Sequence, residues 1–155
     1  MTIGILFVCT GNICRSPMAE GVFRSMARGA GLESAFTIDS AGTYGGHAGE
    51  PQSRPAIKAA ARRGYDISGL RARPLVAADI ARFDHVLAMD RGHMAVLRGL
   101  APRGLIGRLQ MFARADVADP YGGSERDYER ALDAIEAGCM SRLEALMPVA
   151  KAQFA

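Results

Sequence analysis

The most constraining stretch of this chain is its beginning. Residues 3–8, Ile-Gly-Ile-Leu-Phe-Val, are apolar at every position, and a short polar loop then leads to Ser16-Pro17. A strand that is apolar on alternate residues can leave one face in water. One that is apolar throughout must be covered on both faces, as in a parallel sheet packed between helices. Ser16 suits the start of a helix and Pro17 its first turn. Met18, Val22 and Met26 then recur every four residues, and Gly29 and Gly31 supply a stop.

The same alternation of short apolar runs with longer amphipathic stretches continues along the chain. Phe36 to Ser40 reads as a second strand, His85 to Met89 as a third and Leu105 to Leu109 as a weaker fourth. Residues 41–51 are glycine-rich and read as loop. A helix is expected from Arg54 or Pro55 to Arg63, closed by Gly64, and a short one from Val76 to Arg82. Ala113 to Gly123 reads as loop. Ser124-Glu125-Arg126-Asp127 resembles a capping box opening a last helix, with Tyr128, Leu132, Ile135, Cys139, Leu143 and Leu146 on one face. The expected fold class is α/β: three layers, α/β/α, around a central four-stranded parallel sheet, with residues 1–155 as one domain.

Charge and cysteine usage exclude several functions. The 19 Lys and Arg nearly balance the 16 Asp and Glu, for a net charge of +3, and the arginines are scattered. A nucleic-acid partner would want a clustered basic stripe. Cys9, Cys14 and Cys139 make neither a disulfide framework nor a zinc spacing, and His47, His85 and His93 are the only histidines. No metal and no cofactor is expected, and His47 and His93 are expected at the surface. No Lys or Arg precedes Arg15, and the first apolar run is too short for a bilayer. The expectation is a cytoplasmic protein with free thiols and no membrane association.

The segment Cys9-Thr10-Gly11-Asn12-Ile13-Cys14-Arg15-Ser16-Pro17 lies between the first strand and the first helix. Open α/β sheets bind their ligands at that place, and a helix N-terminus favours an anion. Gly11 lets the backbone approach closely, and Asn12 tolerates the left-handed region. Successive N–H groups can then curl into an anion nest. No Gly-Lys-Ser/Thr of a nucleotide-binding loop is present.

Cys9 stands at the mouth of this cradle. Thiols at helix N-termini or beside arginine ionise readily, which makes the sulfur a nucleophile. Arg15 can hold two phosphate oxygens, and Ser16 can donate to the sulfur. The set suits in-line attack on phosphorus. A lone Cys ending a strand is more often a small packing residue, but the Cys-x5-Arg-Ser spacing with Gly-Asn inside it reverses those odds. Protonating the leaving oxygen calls for an acid on another loop. Asp119, stiffened by Pro120, and its neighbour Asp116 are the candidates. Tyr121 can stack on an aromatic leaving group or pack on the last helix. Ile13 can face the entrance or pack under the loop.

Cys9 to Pro17, together with Ser40-Ala41-Gly42-Thr43, Met89-Asp90 and Asp119-Pro120-Tyr121, resembles the low-molecular-weight protein tyrosine phosphatases of bacterial type. The resemblance runs over nearly the whole chain. It implies metal-independent hydrolysis of phosphotyrosine, an aryl phosphate monoester, through a cysteinyl-phosphate intermediate. In this sequence it makes Cys9 the nucleophile, Arg15 the phosphate clamp and Asp119, rather than Asp116, the general acid. Thr10, Gly11, Asn12, Ile13, Cys14, Ser16 and Tyr121 are implied as substrate-binding, and Ser40 as a support of the loop. Reversible pairing of Cys9 with Cys14 is also implied. The implied partners are a phosphotyrosine-containing protein and competing oxyanions such as inorganic phosphate, with the chain itself a monomer.

Two positions depart from the family pattern. Relatives often carry an aromatic residue where Gly46 stands, and Tyr44 is the neighbouring substitute. A histidine found in some relatives near the end of the second helix is replaced in a stretch holding Arg63 and Gly69. Arsenate reductases share the cradle but need relay cysteines, and none lies between Cys14 and Cys139. A phosphate binder without catalysis would have no reason to keep Cys9, Arg15 and Asp119 together.

Overall fold

In the computed structural model, which describes residues 1–154, nine regular elements follow one another. They are β1 (Ile3–Cys9), α1 (Arg15–Gly29), β2 (Phe36–Gly42), α2 (Arg54–Arg62), α3 (Ala77–Arg82), β3 (His85–Ala88), α4 (Arg91–Leu100), β4 (Leu109–Met111) and α5 (Glu125–Phe154). The strands form one parallel sheet in the order β2-β1-β3-β4. The three-layer α/β fold is as the sequence implies.

Every residue of β1 is buried, as an all-apolar central strand requires. Its alternate side chains feed two cores. Ile3, Ile5, Phe7 and Cys9 join Met18, Val22 and Phe23 of α1 and Leu132, Ile135 and Cys139 of α5. Leu6 and Val8 join Ile80, Val86 and Leu97 on the opposite face. Phe7 packs against Phe23 and Phe112 with ring centres 6.0 and 5.9 Å away. Burying each such side chain is worth roughly 1.5–3 kcal/mol, so β1 is the fixed point from which the loop after Cys9 is held.

Three local expectations are corrected. Leu105 to Leu109 is not a strand: Arg103–Arg108 winds as a 3-10 helix and only Leu109–Met111 pairs with β3. The unassigned stretch after Met89 contains α4, capped by Asp90, whose carboxylate accepts from the His93 N–H at 3.1 Å. Helix α1 starts at Arg15 with Cys14 as its N-cap residue, so Ser16 lies inside the first turn and its hydroxyl is free for another use. The capping box of α5 is present: the Ser124 N–H donates to Asp127 at 2.8 Å and the Asp127 N–H donates to the Ser124 hydroxyl at 3.3 Å. No described helix is long and apolar enough to cross a membrane.

Candidate active site

The loop between β1 and α1 turns on Asn12, whose φ of +57° is the one left-handed non-glycine conformation among the described residues. Glycine at 42 makes room for it. A Cβ there would lie 2.5 Å from the Thr10 carbonyl oxygen and 3.0 Å from the Asn12 nitrogen. Among the described residues, the N–H groups of residues 11–16 donate to no backbone acceptor. A run of unpaired N–H groups at a helix N-terminus is a receptor for an anion.

Beneath the loop a chain of hydrogen bonds has a fixed direction. The Arg73 N–H donates to Asn12 Oδ1 at 3.0 Å, which sets the Asn12 amide so that its Nδ2 faces two hydroxyls. That Nδ2 donates to Ser16 Oγ at 2.8 Å and to Ser40 Oγ at 2.9 Å. Ser40 in turn donates to Glu20 Oε1 at 2.7 Å. Burial pushes the Glu20 carboxyl up, opposed by its bonds from Ser40 and Arg24. Because Ser16 Oγ already accepts from Asn12, its own proton is free to point at Cys9 Sγ, 2.9 Å away.

Arg15 is 3% exposed and is held from one side. Its Nη1 donates to Asp90 Oδ2 and to the Val117 carbonyl, both at 2.8 Å. Its Nη2 faces Asp119 Oδ2 at 3.5 Å and Thr10 Oγ1 at 3.4 Å. Burial alone would raise the Asp90 carboxyl, but the bonds from Arg15 and His93 bring it below the ordinary value. Asp119 also accepts from the Tyr121 N–H at 3.1 Å, a two-residue turn around Pro120. Asp116 points elsewhere, to the backbone N–H of Arg91 at 3.1 Å.

Cys9, Thr10, Gly11, Ile13, Cys14, Arg15, Asp119 and Tyr121 line one cavity of about 150 Å³, closed at the rim by Tyr44 and His47. Of the residues expected at the site, only Asn12, Ser16 and Ser40 lie outside its wall, as the support just described. Tyr121 is 62% exposed and belongs to the rim rather than to a packing on α5. A Cβ on Gly46 would fall 2.1 Å from Tyr44 Cζ, so the Tyr44 ring occupies the space an aromatic at 46 would claim. Cys14 meets Ser53 and Tyr128, at 3.2 and 3.5 Å. Burial pushes its thiol up, and burial pushes Tyr128 up to about 12.

His93 is the expectation that fails. It is buried, with Nε2 2.8 Å from Thr10 Oγ1. Its position follows from α4, whose N-terminus was not read from the sequence. Asp90 three residues before it was the available signal.

A parallel α/β fold with a cysteine at a strand end, bare main-chain N–H groups after it and an arginine lining the same cavity fits the class of cysteine-dependent phosphatases. Residues 4–151 match the family model described as "Low molecular weight phosphotyrosine protein phosphatase". A low molecular weight protein-tyrosine-phosphatase of Streptomyces coelicolor is 40% identical over 156 residues, covering 94% of each chain. The crystal structure of YfkJ from Bacillus subtilis superposes with a TM-score of 0.89 at 35% identity, covering 96% of each chain. The structure of Vibrio vulnificus Wzb in complex with benzylphosphonate gives a TM-score of 0.85 at 29% identity, covering 94% of this chain and 100% of that one. The chain belongs to the low molecular weight phosphotyrosine protein phosphatase family, and its activity is that of a protein tyrosine phosphatase.

Proposed function

We propose that Cys9 attacks the phosphorus of phosphotyrosine and carries the phosphoryl group as a cysteinyl phosphate. The observation that supports this most is that Cys9 lines a cavity with Thr10, Gly11, Ile13, Cys14 and Arg15, a stretch whose N–H groups from residue 11 to 16 have no backbone acceptor among the described residues, with Ser16 Oγ 2.9 Å from its sulfur. Residues 10–16 and Arg15 hold the equatorial oxygens as the P–O bond breaks. The electron pair of that bond leaves on the tyrosyl oxygen, and Asp119 supplies its proton. The Asp119 carboxylate then takes a proton from water as that water attacks the cysteinyl phosphate, releasing inorganic phosphate and the Cys9 thiolate.

Thr10, Gly11, Ile13, Cys14 and Tyr121 act in binding from the cavity wall and Asn12 and Ser16 through their main-chain N–H groups, while the side chains of Asn12, Ser16 and Ser40 support the loop. The reaction asks for no metal or cofactor, since the anion's charge is met by Arg15 and main-chain N–H groups. Oxyanions such as phosphate compete for the cradle, as the benzylphosphonate held by the Vibrio protein suggests. The single domain works as a cytoplasmic monomer.

The test is a panel of phosphotyrosine, phosphoserine and phosphoarginine peptides with chelator present. Wild-type protein is expected to prefer phosphotyrosine. Cys9→Ser and Arg15→Ala are each expected to lose about 10²–10³-fold or more in turnover. Full activity in Cys9→Ser, or dependence on an added metal, would contradict the assignment.

A further inference from the structure

His93 is a buried ring with two polar contacts at the edge of the cradle, and the chemistry above makes no use of it. Its Nδ1 lies 3.1 Å from the Asp90 backbone nitrogen and also 3.1 Å from Asp90 Oδ1. These two contacts ask for opposite hydrogen placements. The N–H decides between them: a backbone N–H can only donate, and it is aimed at Nδ1, so Nδ1 presents its lone pair. Asp90 Oδ1 has its own donor in the His93 N–H, at 3.1 Å. The ring hydrogen is therefore on Nε2 and is donated to Thr10 Oγ1 at 2.8 Å.

Thr10 Oγ1 also receives Arg15 Nη2 at 3.4 Å. With donors on its lone pairs, the hydroxyl has only its own proton left to offer. Among the described residues its hydrogen-bond contacts are these two alone, so that proton has no protein acceptor. Thr10 lines the cavity beside Cys9 and Arg15.

We propose that the Thr10 hydroxyl is a hydrogen-bond donor to the transferring phosphoryl group and that His93, through its Nε2–H, is the positioning residue that turns it that way. The inference rests on the reading of the loop as a phosphate cradle. The tautomer sets the sign of the contact. With the hydrogen on Nδ1, Thr10 would donate back to Nε2 and turn a lone pair toward a phosphate oxygen, which repels. With it on Nε2, the oxyanion gains a side-chain donor in addition to the main-chain ones, in a site where such donors count most.

Thr10→Val keeps the shape and removes the hydroxyl. Its inhibition constant for inorganic phosphate is expected to rise about tenfold, and kcat/KM for p-nitrophenyl phosphate to fall by about as much or more, the usual cost of one bond to a charged group. Thr10→Ser is expected to keep most of both. His93→Gln is expected to show a comparable loss in the wild-type background and none further in Thr10→Val. Nitrogen-15 shifts of the His93 ring in the unaltered protein are expected to show Nε2 protonated and Nδ1 bare. Unchanged phosphate inhibition in Thr10→Val, a ring protonated on Nδ1, or additive losses in the double variant would each overturn the proposal. A wild-type protein that neither hydrolyses the aryl phosphate nor binds phosphate would overturn the cradle itself.

Discussion

Hydroxyl groups in this site take their roles from what donates to them. Asn12 commits one lone pair of Ser16, and the Ser16 proton is left for the sulfur; His93 does the same for Thr10. Cys9 and Arg15 stood out in the sequence through the Cys-x5-Arg-Ser spacing, whereas only the family resemblance separated Asp119 from Asp116; the fold brings all three to one cavity. His93 was not, since one histidine in an unassigned stretch has no partner until the fold supplies Thr10, 83 residues away. Its burial has a consequence for stability. Desolvation lowers the ring below its ordinary 6.5, and of the charges facing it Asp90, Asp116 and Asp119 oppose the shift while Arg15 reinforces it. The folded protein thus binds this proton less readily than the unfolded chain, so this contribution weakens stability as pH falls below about 6.5. Urea unfolding between about pH 5 and 7 is expected to show His93→Gln with a flatter pH slope than wild type. An identical slope would mean the ring is as free to protonate in the fold as in water.

Among the elements, β1 was legible as an unbroken apolar run, and α1 and α5 because their apolar positions follow one period. Helix α4 was hidden by Gly92 and Gly99, poor helix formers that weaken the pattern, although Asp90 caps it. Strand β4 is only three residues long, too short to show an alternation, and the apolar residues just before it belong to a 3-10 turn. The rim segment after β2 shows a different kind of compensation. Gly46 leaves the volume that the Tyr44 ring fills, so the wall keeps its aromatic from two positions earlier. Gly46→Ala would push that ring aside at its flexible end without disturbing the backbone. The expected result is a KM for aryl phosphates raised about 2–10-fold, the worth of one aromatic contact, with phosphate inhibition and thermal stability unchanged. A parallel loss of phosphate affinity would place the damage in the cradle instead.

Taken as a whole molecule, the sheet fixes Cys9 in register with Gly42, and the helices bring the remaining parts to that strand end. The start of helix α4 brings Asp90 and His93, the loop before α5 brings Asp119, and α5 itself brings Tyr128 to Cys14. Arg63, at the end of α2, ties that helix to α5 through Glu129, Asp133 and Glu136. No spacing rule predicts that cluster, because Arg63 lies 66 to 73 residues from the three carboxylates it meets. The scaffold therefore converges on a single sulfur, and its chemistry can be read directly. Protein quenched in acid during turnover of a phosphotyrosine peptide, digested and mapped by mass spectrometry, is expected to carry one phosphoryl group on the peptide holding Cys9. The group should be absent from Cys9→Ser. A phosphoryl group on a histidine, serine or aspartate elsewhere, with Cys9 unmodified, would contradict the account.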